Sequence, residues 1–320
     1  MTAHWRIAPL AISALLSLAT SGRAADAPPP PVRTCALPEL ASIDMRTRSD
    51  GQFSVPVEMN GHPFFLLVDT GSVHSSMTYE TASELGVKLS WTPYGGAFLN
   101  NIAIDEYTTL TQFKLGPLRS DEKLQVLVIP NDIVPASTAG LLGPDIMASM
   151  DVEFDFYRGK FNLFEHNACD GHVVYWTHDP YAALPIKLDR HSFHVDVEAV
   201  LDGKPLMVTF DTGSGTSTMS LEAARELFGW DEKDPRVKYV GKQSLNGGEE
   251  SAFYTFPFGT LSFDGVTVSN PQITLIPNDH FFRERNHDAV IILGMSVIRQ
   301  LHMYVDYQGS MLYLTGAEAH

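Results

Sequence analysis

The chain has 320 residues, of which 44% are hydrophobic and 19% are charged, a composition typical of one large globular domain or two of ordinary size. Its formal net charge of −16 argues against binding to nucleic-acid phosphates and against docking on anionic lipid. The acidic balance identifies no partner by itself.

The N-terminus has the pattern of a secretory signal peptide. Arg6 lies in a short polar start, a mostly apolar run follows over residues 7–19, and small residues occupy Gly22 and Ala24. The run is shorter than the roughly 20 apolar residues that a membrane span needs. We therefore predict that residues 1–24 are a cleaved signal and that the protein is exported to a periplasmic or extracellular location. An uncleaved membrane anchor is the alternative.

Residues 25–45, which contain four consecutive prolines, predict an extended linker ahead of the first folded block. The chain has two cysteines, Cys35 within this stretch and Cys169 just after the first block. Because exported proteins meet an oxidising compartment, a Cys35–Cys169 disulfide would stabilise the fold by about 4–5 kcal/mol in the chain-entropy model. Two unrelated thiols are the alternative.

The most informative feature is an internal repeat. A two-residue turn signal, an apolar strand and the motif Asp-Thr-Gly-Ser follow one another over residues 60–72, and they recur over residues 202–214, at an offset of 142. Each copy predicts a hairpin whose second strand ends in an aspartate, Asp69 in the first copy and Asp211 in the second.

The similarity continues after these motifs. A short helix is predicted after each one, over residues 79–85 and 221–228, and each half later contains a Leu-Gly segment that ends at Gly143 or Gly294. Most of the remaining sequence combines β-branched and aromatic runs with turn residues. The chain is therefore predicted to form two homologous β-rich lobes and a connecting linker, at residues 46–165, 184–318 and 166–183 respectively.

The duplicated aspartates suggest a specific chemistry. Packing of the two lobes about a pseudo-twofold axis would bring the carboxylates of Asp69 and Asp211 together. Two carboxylates about 3 Å apart do not both ionise easily, so they share one proton. One can then act as a base towards water while the other acts as an acid towards a carbonyl oxygen. This arrangement predicts peptide hydrolysis without a covalent intermediate.

The repeated motifs resemble those of the pepsin and retropepsin superfamily of aspartic proteases, over essentially residues 50–315. The resemblance implies the acid protease fold, which is mainly β with two barrel-like lobes related by a pseudo-twofold axis. It implies that Asp69 and Asp211 are catalytic and that segments ending at Gly143 and Gly294 buttress the catalytic loops. It further implies that Thr70 and Thr212 bond to each other across the axis and that Gly71 and Gly213 support the loops. Ser72 and Ser214 are implied to donate to the outer carboxylate oxygens.

A glycine pair in each half suggests which branch of the superfamily the chain resembles. Gly95-Gly96 and Gly247-Gly248 lie in strand-rich stretches where retropepsin lobes carry a flap, a hairpin that closes over the substrate. Two flaps and two short lobes favour a tandem retropepsin-like chain over a pepsin-like one. Ordinary hairpin turns are the alternative for both glycine pairs.

Two features depart from the family pattern. Retropepsin-like bacterial lobes commonly have an aspartate two residues after the buttress glycine; Asp145 fits this pattern, whereas Ser296 replaces it in the second lobe. His74 follows Asp69 by five residues, where it either perturbs the carboxylate pair or points away from it. The twelve histidines show no spacing typical of metal ligands, so no metal site is predicted.

The favoured function is that of an aspartic endopeptidase, a hydrolase that acts in proteolysis on peptide or protein substrates. We expect it to need no cofactor, to bind no nucleic acid and not to associate with membranes after signal cleavage. We also expect a monomer, because one chain supplies both carboxylates. The alternative is a non-catalytic peptide-binding or scaffold protein, although such proteins usually lose one Asp or the Gly that follows. A glycosidase is disfavoured because its two acids come from unrelated loops about 5–10 Å apart.

Overall fold

The computed structural model describes residues 37–92, 97–99, 102–120, 122–166, 172–189, 191–230, 233–244, 250–277 and 289–318. The predictions for the signal peptide at residues 1–24, for the two cysteines Cys35 and Cys169, and for the glycine pairs Gly95-Gly96 and Gly247-Gly248 lie outside these residues. In the described part, no helix is long and apolar enough to cross a membrane.

The first half of the chain is built mainly of strands. Its strands are β1 (Glu39–Asp44), β2 (Arg46–Thr47), β3 (Phe53–Met59), β4 (His62–Val68), β5 (Ser76–Thr78), β6 (Ser90–Trp91), β7 (Ala97–Leu99), β8 (Ile102–Ile104), β9 (Glu106–Leu110), β10 (Phe113–Leu115), β11 (Leu118–Ser120), β12 (Leu124–Ile129), β13 (Gly140–Leu142), β14 (Asp151–Asp155) and β15 (Lys160–Phe164). Its helices are α1 (Tyr79–Glu84) and α2 (Pro144–Met147).

The second half has the same character. Its strands are β16 (Ala182–Pro185), β17 (Val195–Leu201), β18 (Lys204–Phe210), β19 (Ser217–Ser220), β20 (Lys238–Ser244), β21 (Glu250–Thr255), β22 (Thr260–Phe263), β23 (Val266–Ser269), β24 (Ile273–Ile276), β25 (Ala289–Leu293), β26 (Leu301–Asp306) and β27 (Met311–Gly316). Its helices are α3 (Leu221–Phe228) and α4 (Met295–Ile298).

The predicted turns and helices lie where the repeat places them. Asn60 and Gly61 both have positive φ, of 49° and 87°, and Asp202 and Gly203 have 45° and 80°, which is the type I′ pattern that suits two-residue hairpins. Each hairpin joins two antiparallel strands, β3 with β4 and β17 with β18. Helices α1 and α3 begin at N-cap hydroxyls that accept a bond from the backbone three residues on.

The two lobes share one sheet topology. The first sheet has the strand order β11-β10-β3-β4-β13-β5-β12-β9-β6, with β2 paired to β3, and the second has the order β23-β22-β17-β18-β25-β19-β24-β21-β20. In both, the strand before the Asp motif runs parallel to the Leu-Gly strand, which runs antiparallel to the strand after the motif. The matching orders confirm the predicted mainly β fold of two homologous lobes.

A third sheet joins the lobes. Its strand order is β1-β15-β14-β26-β27-β16, so strands from the first lobe pair directly with strands from the second, through β14 and β26. Strand β1 lies within residues 25–45, which we predicted as a linker; its alternating Ala41 and Ile43 are buried, and this alternation makes it a strand. Strand β16 likewise begins within the predicted linker 166–183, so both predicted linkers contribute strands to the fold.

Candidate active site

The two motif aspartates lie at equivalent positions in the lobes, directly after strands β4 and β18. The backbone N–H of Asp69 donates to the carbonyl of Leu142 at 3.0 Å, and that of Asp211 donates to the carbonyl of Leu293 at 2.8 Å. The parallel pairing with the Leu-Gly strands thus fixes where each aspartate leaves the sheet. Their exposed fractions are only 9% and 7%.

Each aspartate side chain accepts hydrogen bonds from the backbone of its own motif loop. Asp69 Oδ1 accepts hydrogen bonds from the N–H of Gly71 at 2.9 Å and of Ser72 at 3.0 Å. Asp211 Oδ1 accepts a bond from the N–H of Gly213 at 2.9 Å. These bonds hold the two carboxyl side chains in place.

Two threonines lock the loops together across the pseudo-twofold axis. The N–H of Thr70 donates to Thr212 Oγ1 at 3.1 Å, and the N–H of Thr212 donates to Thr70 Oγ1 at 3.0 Å. Each hydroxyl then donates across the axis, Thr70 to the carbonyl of Phe210 at 2.7 Å and Thr212 to the carbonyl of Val68 at 2.8 Å. Four buried bonds therefore connect the two lobes at this point, as the resemblance implied.

The glycines of the two motifs bring the aspartates towards the same point. A Cβ atom added to Gly71 would lie 2.2 Å from the carboxyl carbon of Asp211, and one added to Gly213 would lie 2.3 Å from that of Asp69. Each carboxyl group therefore packs against the backbone of the opposite loop. Only glycine leaves room for this approach.

The two motif serines differ from the prediction. Ser72 Oγ donates to the backbone carbonyl of its own Asp69 at 3.0 Å, and Ser214 Oγ donates to the carbonyl of Thr216 at 2.8 Å. The prediction that both hydroxyls donate to the outer carboxylate oxygens is therefore wrong. Both hydroxyls lie close to a carbonyl of their own turn, and short hydroxyl side chains readily bond to such local backbone groups.

Both Leu-Gly segments pack behind the motif loops. A Cβ added to Gly143 would lie 2.8 Å from the carbonyl carbon of His74, and one added to Gly294 would lie 2.2 Å from the carbonyl oxygen of Thr216. Such distances are too short for any side chain. The two segments thus contact the loops directly.

The second lobe replaces a carboxylate by a hydroxyl without losing the contact. In the first lobe, Asp145 Oδ1 accepts bonds from the N–H of Ser75 at 2.9 Å and from its hydroxyl at 2.6 Å. In the second, Ser296 Oγ accepts a bond from the N–H of Ser217 at 3.0 Å and lies 2.9 Å from its hydroxyl. Serine at position 296 therefore still ties helix α4 to the loop after Asp211.

His74 lies beside Asp145. Its Nδ1 is 3.9 Å from Asp145 Oδ2, and nearly half of its side chain is exposed. The ring therefore sits on the outer side of the first buttress, next to the carboxylate that holds Ser75.

Comparison with known families agrees with this geometry. A model of the aspartyl protease family matches residues 55–146 and residues 197–297, which together cover more than half of the chain. The chain belongs to the aspartyl protease family. Each matched segment contains one Asp-Thr-Gly-Ser motif and one Leu-Gly segment, which confirms the tandem arrangement. No match was found among curated proteins.

One residue of this site, Gln52, was not predicted from the sequence. Gln52, directly before strand β3 of the first lobe, donates its Nε2 hydrogen to the carbonyl of Gly213 in the second motif loop. A single glutamine next to an apolar strand gives no signal of such a contact, since nothing in the sequence shows which loop of the other lobe lies opposite.

A second unforeseen contact lies at the start of helix α1, directly after strand β5. The hydroxyl of Tyr79, the first residue of α1, donates to Glu106 Oε2 in β9 at 2.6 Å. This bond and burial raise the pKa of Tyr79 to about 12, so its hydroxyl stays a donor at all physiological pH values. The bond ties α1 to the strand that follows the predicted first flap.

Replacing Gly71 with Ala is expected to lower kcat/KM for peptide cleavage by at least about 100-fold, because the added methyl group displaces the carboxyl group of Asp211 by more than about 1 Å. Steady-state cleavage of a peptide substrate measures the effect. The control is Gly316→Ala at the end of β27, where an added Cβ meets no atom within 4 Å. Equal activity of the two variants would contradict the close approach of the two loops.

Proposed function

We propose that this aspartyl protease is an active endopeptidase in which Asp69 and Asp211 share one proton and activate a water molecule between them. The observation that carries the proposal is the reciprocal packing of each carboxyl group against the glycine of the opposite loop. Both carboxylates are present, and both loops are held by paired threonine bonds. A chain that had kept only the fold would have no need of two such intact carboxylates.

The proposed reaction follows from the chemistry of the pair. The ionised carboxylate takes a proton from water as the water oxygen bonds to the scissile carbonyl carbon, while the protonated partner gives its proton to the carbonyl oxygen. The resulting tetrahedral diol then collapses as its carbon–nitrogen bond breaks. The aspartate that took the proton from water gives it to the nitrogen, and a hydroxyl of the diol gives its proton to the other aspartate. A carboxylic acid and an amine are released, and the pair again holds one proton. No cofactor takes part in these steps.

We also propose that the protein acts outside the cytoplasm as a monomer. Residues 1–24 have the pattern of a cleaved signal, and a single chain supplies both aspartates. The N-terminal sequence of protein recovered from the extracytoplasmic fraction of a producing cell would begin at residue 25. Recovery of the protein only with residue 1 intact would contradict cleavage.

Cleavage of a peptide library across pH 3–8 tests the function. The wild type is expected to cut internal peptide bonds and to be inhibited by a statine-containing peptide, whereas the double variant Asp69→Ala/Asp211→Ala is expected to cut none above background. Peptide binding without cleavage by the wild type would instead support a scaffold. Equal cleavage by both proteins would exclude Asp69 and Asp211 as the catalytic groups.

A further inference from the structure

The first lobe reaches across to the second motif loop through the segment that precedes strand β3. Gln52 donates its amide hydrogen to the carbonyl of Gly213, and Asp50 Cβ lies 3.3 Å from the place where a Cβ on Gly215 would be. A Cβ on Gly51 would lie 3.1 Å from Met295 Cβ in α4. Residues 50–52 are therefore packed against the loop that carries Asp211.

The internal repeat places His194 at the position of Gln52. The offset of 142 residues that relates Asp69 to Asp211 also relates Gln52 to His194, and both residues directly precede the first strand of the hairpin that leads to the Asp motif, β3 or β17. These two strands show the same order of buried and exposed positions over their first five residues. Because side chains alternate along a strand, Gln52 and His194 leave their strands on equivalent faces.

The backbone agrees with this correspondence. Gly51 has φ of 88°, and Phe193, which stands at the equivalent position, has φ of 54°. Positive φ is rare for a bulky residue such as Phe, and strained conformations of this kind persist where the surrounding structure imposes them. The same left-handed turn therefore precedes both residues, although only one lobe has a glycine there.

Glutamine and histidine offer the same chemistry at this point. Each has an N–H donor at the end of a short, planar group, and His194 is 96% buried, with an exposed fraction of only 4%. Rotation about the pseudo-twofold axis that relates the lobes places the carbonyl of Gly213 at the position of the carbonyl of Gly71. A donor at position 194 is therefore directed at the first motif loop, from the opposite lobe.

We propose that His194 is a positioning residue that donates a ring N–H to the carbonyl of Gly71 and so holds the Asp69 loop from the second lobe, as Gln52 holds the Asp211 loop from the first. Its effect on catalysis rests on the proposed function. In this arrangement each aspartate loop is also held by the lobe that does not carry it. Packing of the two lobes against each other therefore helps to align the two carboxylates.

Kinetics of two pairs of variants test the role of His194. His194→Leu and Gln52→Leu remove a donor, and each is expected to lower kcat by about 10-fold or more with KM changed less than about 3-fold, since the loss affects alignment and not peptide binding. His194→Gln and Gln52→His restore a donor and are expected to recover most of the lost kcat. The control His62→Leu replaces an exposed histidine in the β3–β4 hairpin. If His194→Gln is as slow as His194→Leu, the positioning role is excluded.

Hydrogen–deuterium exchange tests the contact independently of activity. His194→Leu is expected to speed exchange of the amides of residues 70–73 and to leave residues 212–215 as in the wild type, whereas Gln52→Leu should do the reverse. Equal acceleration of both loops, or none, would overturn the proposal. If the wild type shows no cleavage that depends on Asp69, the proposed function fails, and the exchange pattern still decides whether His194 holds the loop.

Discussion

Replacing Asp69 or Asp211 singly with Asn is expected to lower kcat/KM for peptide hydrolysis by about 10²–10⁴-fold, the range that a positioned acid or base contributes. Each substitution keeps the shape of the side chain and an oxygen that can accept the bonds from the loop N–H groups. The fold should therefore be retained, and only the ability to exchange a proton is lost. Steady-state cleavage of a peptide substrate and far-ultraviolet circular dichroism measure the two properties.

The comparison of the two single variants separates a shared pair from a single catalytic carboxylate. In a shared pair, one member must be ionised while the other is protonated, so losing either one should cost a similar factor. Asp132→Asn, which changes an exposed aspartate, serves as the control. A variant that kept more than about a tenth of wild-type activity would show that its aspartate is dispensable and that the water is activated in another way.

The repeat made the centre of the site predictable from sequence. Asp69 alone would have been an ordinary turn residue, and it gained significance because Asp211 ends an equivalent strand 142 residues later. The same comparison predicted the hairpin turns and the helices, because Asn-Gly and Asp-Gly have strong local preferences. Local chemistry and a constant offset were sufficient for these elements.

Features that depend on distant partners were not predictable. Strand β1 pairs with β15, more than a hundred residues away, and its short alternating pattern follows a proline-rich stretch that suggested a linker. Gln52 and His194 occupy the same position of the repeat but differ in residue type, so comparison of the two halves did not reveal that this position is important. The prediction for the hydroxyls of Ser72 and Ser214 was wrong for another reason, since residue type alone does not determine whether a hydroxyl bonds to a carboxylate or to a nearby carbonyl.

The sheet that joins the lobes contains a buried polar cluster around Glu153. This side chain in β14 has an exposed fraction of 1%, and its carboxylate accepts bonds of 2.7 Å from His302 Nε2, Asn162 Nδ2 and the hydroxyl of Tyr175. His302 belongs to the second lobe and stacks on Trp176 with ring centroids 4.1 Å apart. Burial and the nearby Glu153 raise the pKa of Tyr175, which keeps its hydroxyl protonated as a donor.

Replacing Glu153 with Leu is therefore expected to lower the free energy of unfolding by about 2–6 kcal/mol, because each buried donor that loses its acceptor costs about 1–3 kcal/mol. Three donors would lose their acceptor, and two of them, on Asn162 and His302, belong to buried side chains. Urea denaturation followed by tryptophan fluorescence measures the change. The control is Glu58→Leu, which removes a partly exposed ion pair with Lys114 at 2.8 Å and is expected to cost less than about 1 kcal/mol.

A double variant shows where that cost arises. If it comes from donors left without an acceptor, replacing the His302 donor as well should recover about 1–2 kcal/mol, because the unpaired ring N–H is then gone. Phe is the suitable replacement, since it keeps a ring against Trp176. If the cost instead reflects lost attraction between Glu153 and His302, Glu153→Leu/His302→Phe should be no more stable than Glu153→Leu. Recovery would show that the cluster stabilises the contact between the lobes because its buried donors need their acceptor. Separating β14 from β26 would leave the same donors unpaired and would be costly for that reason.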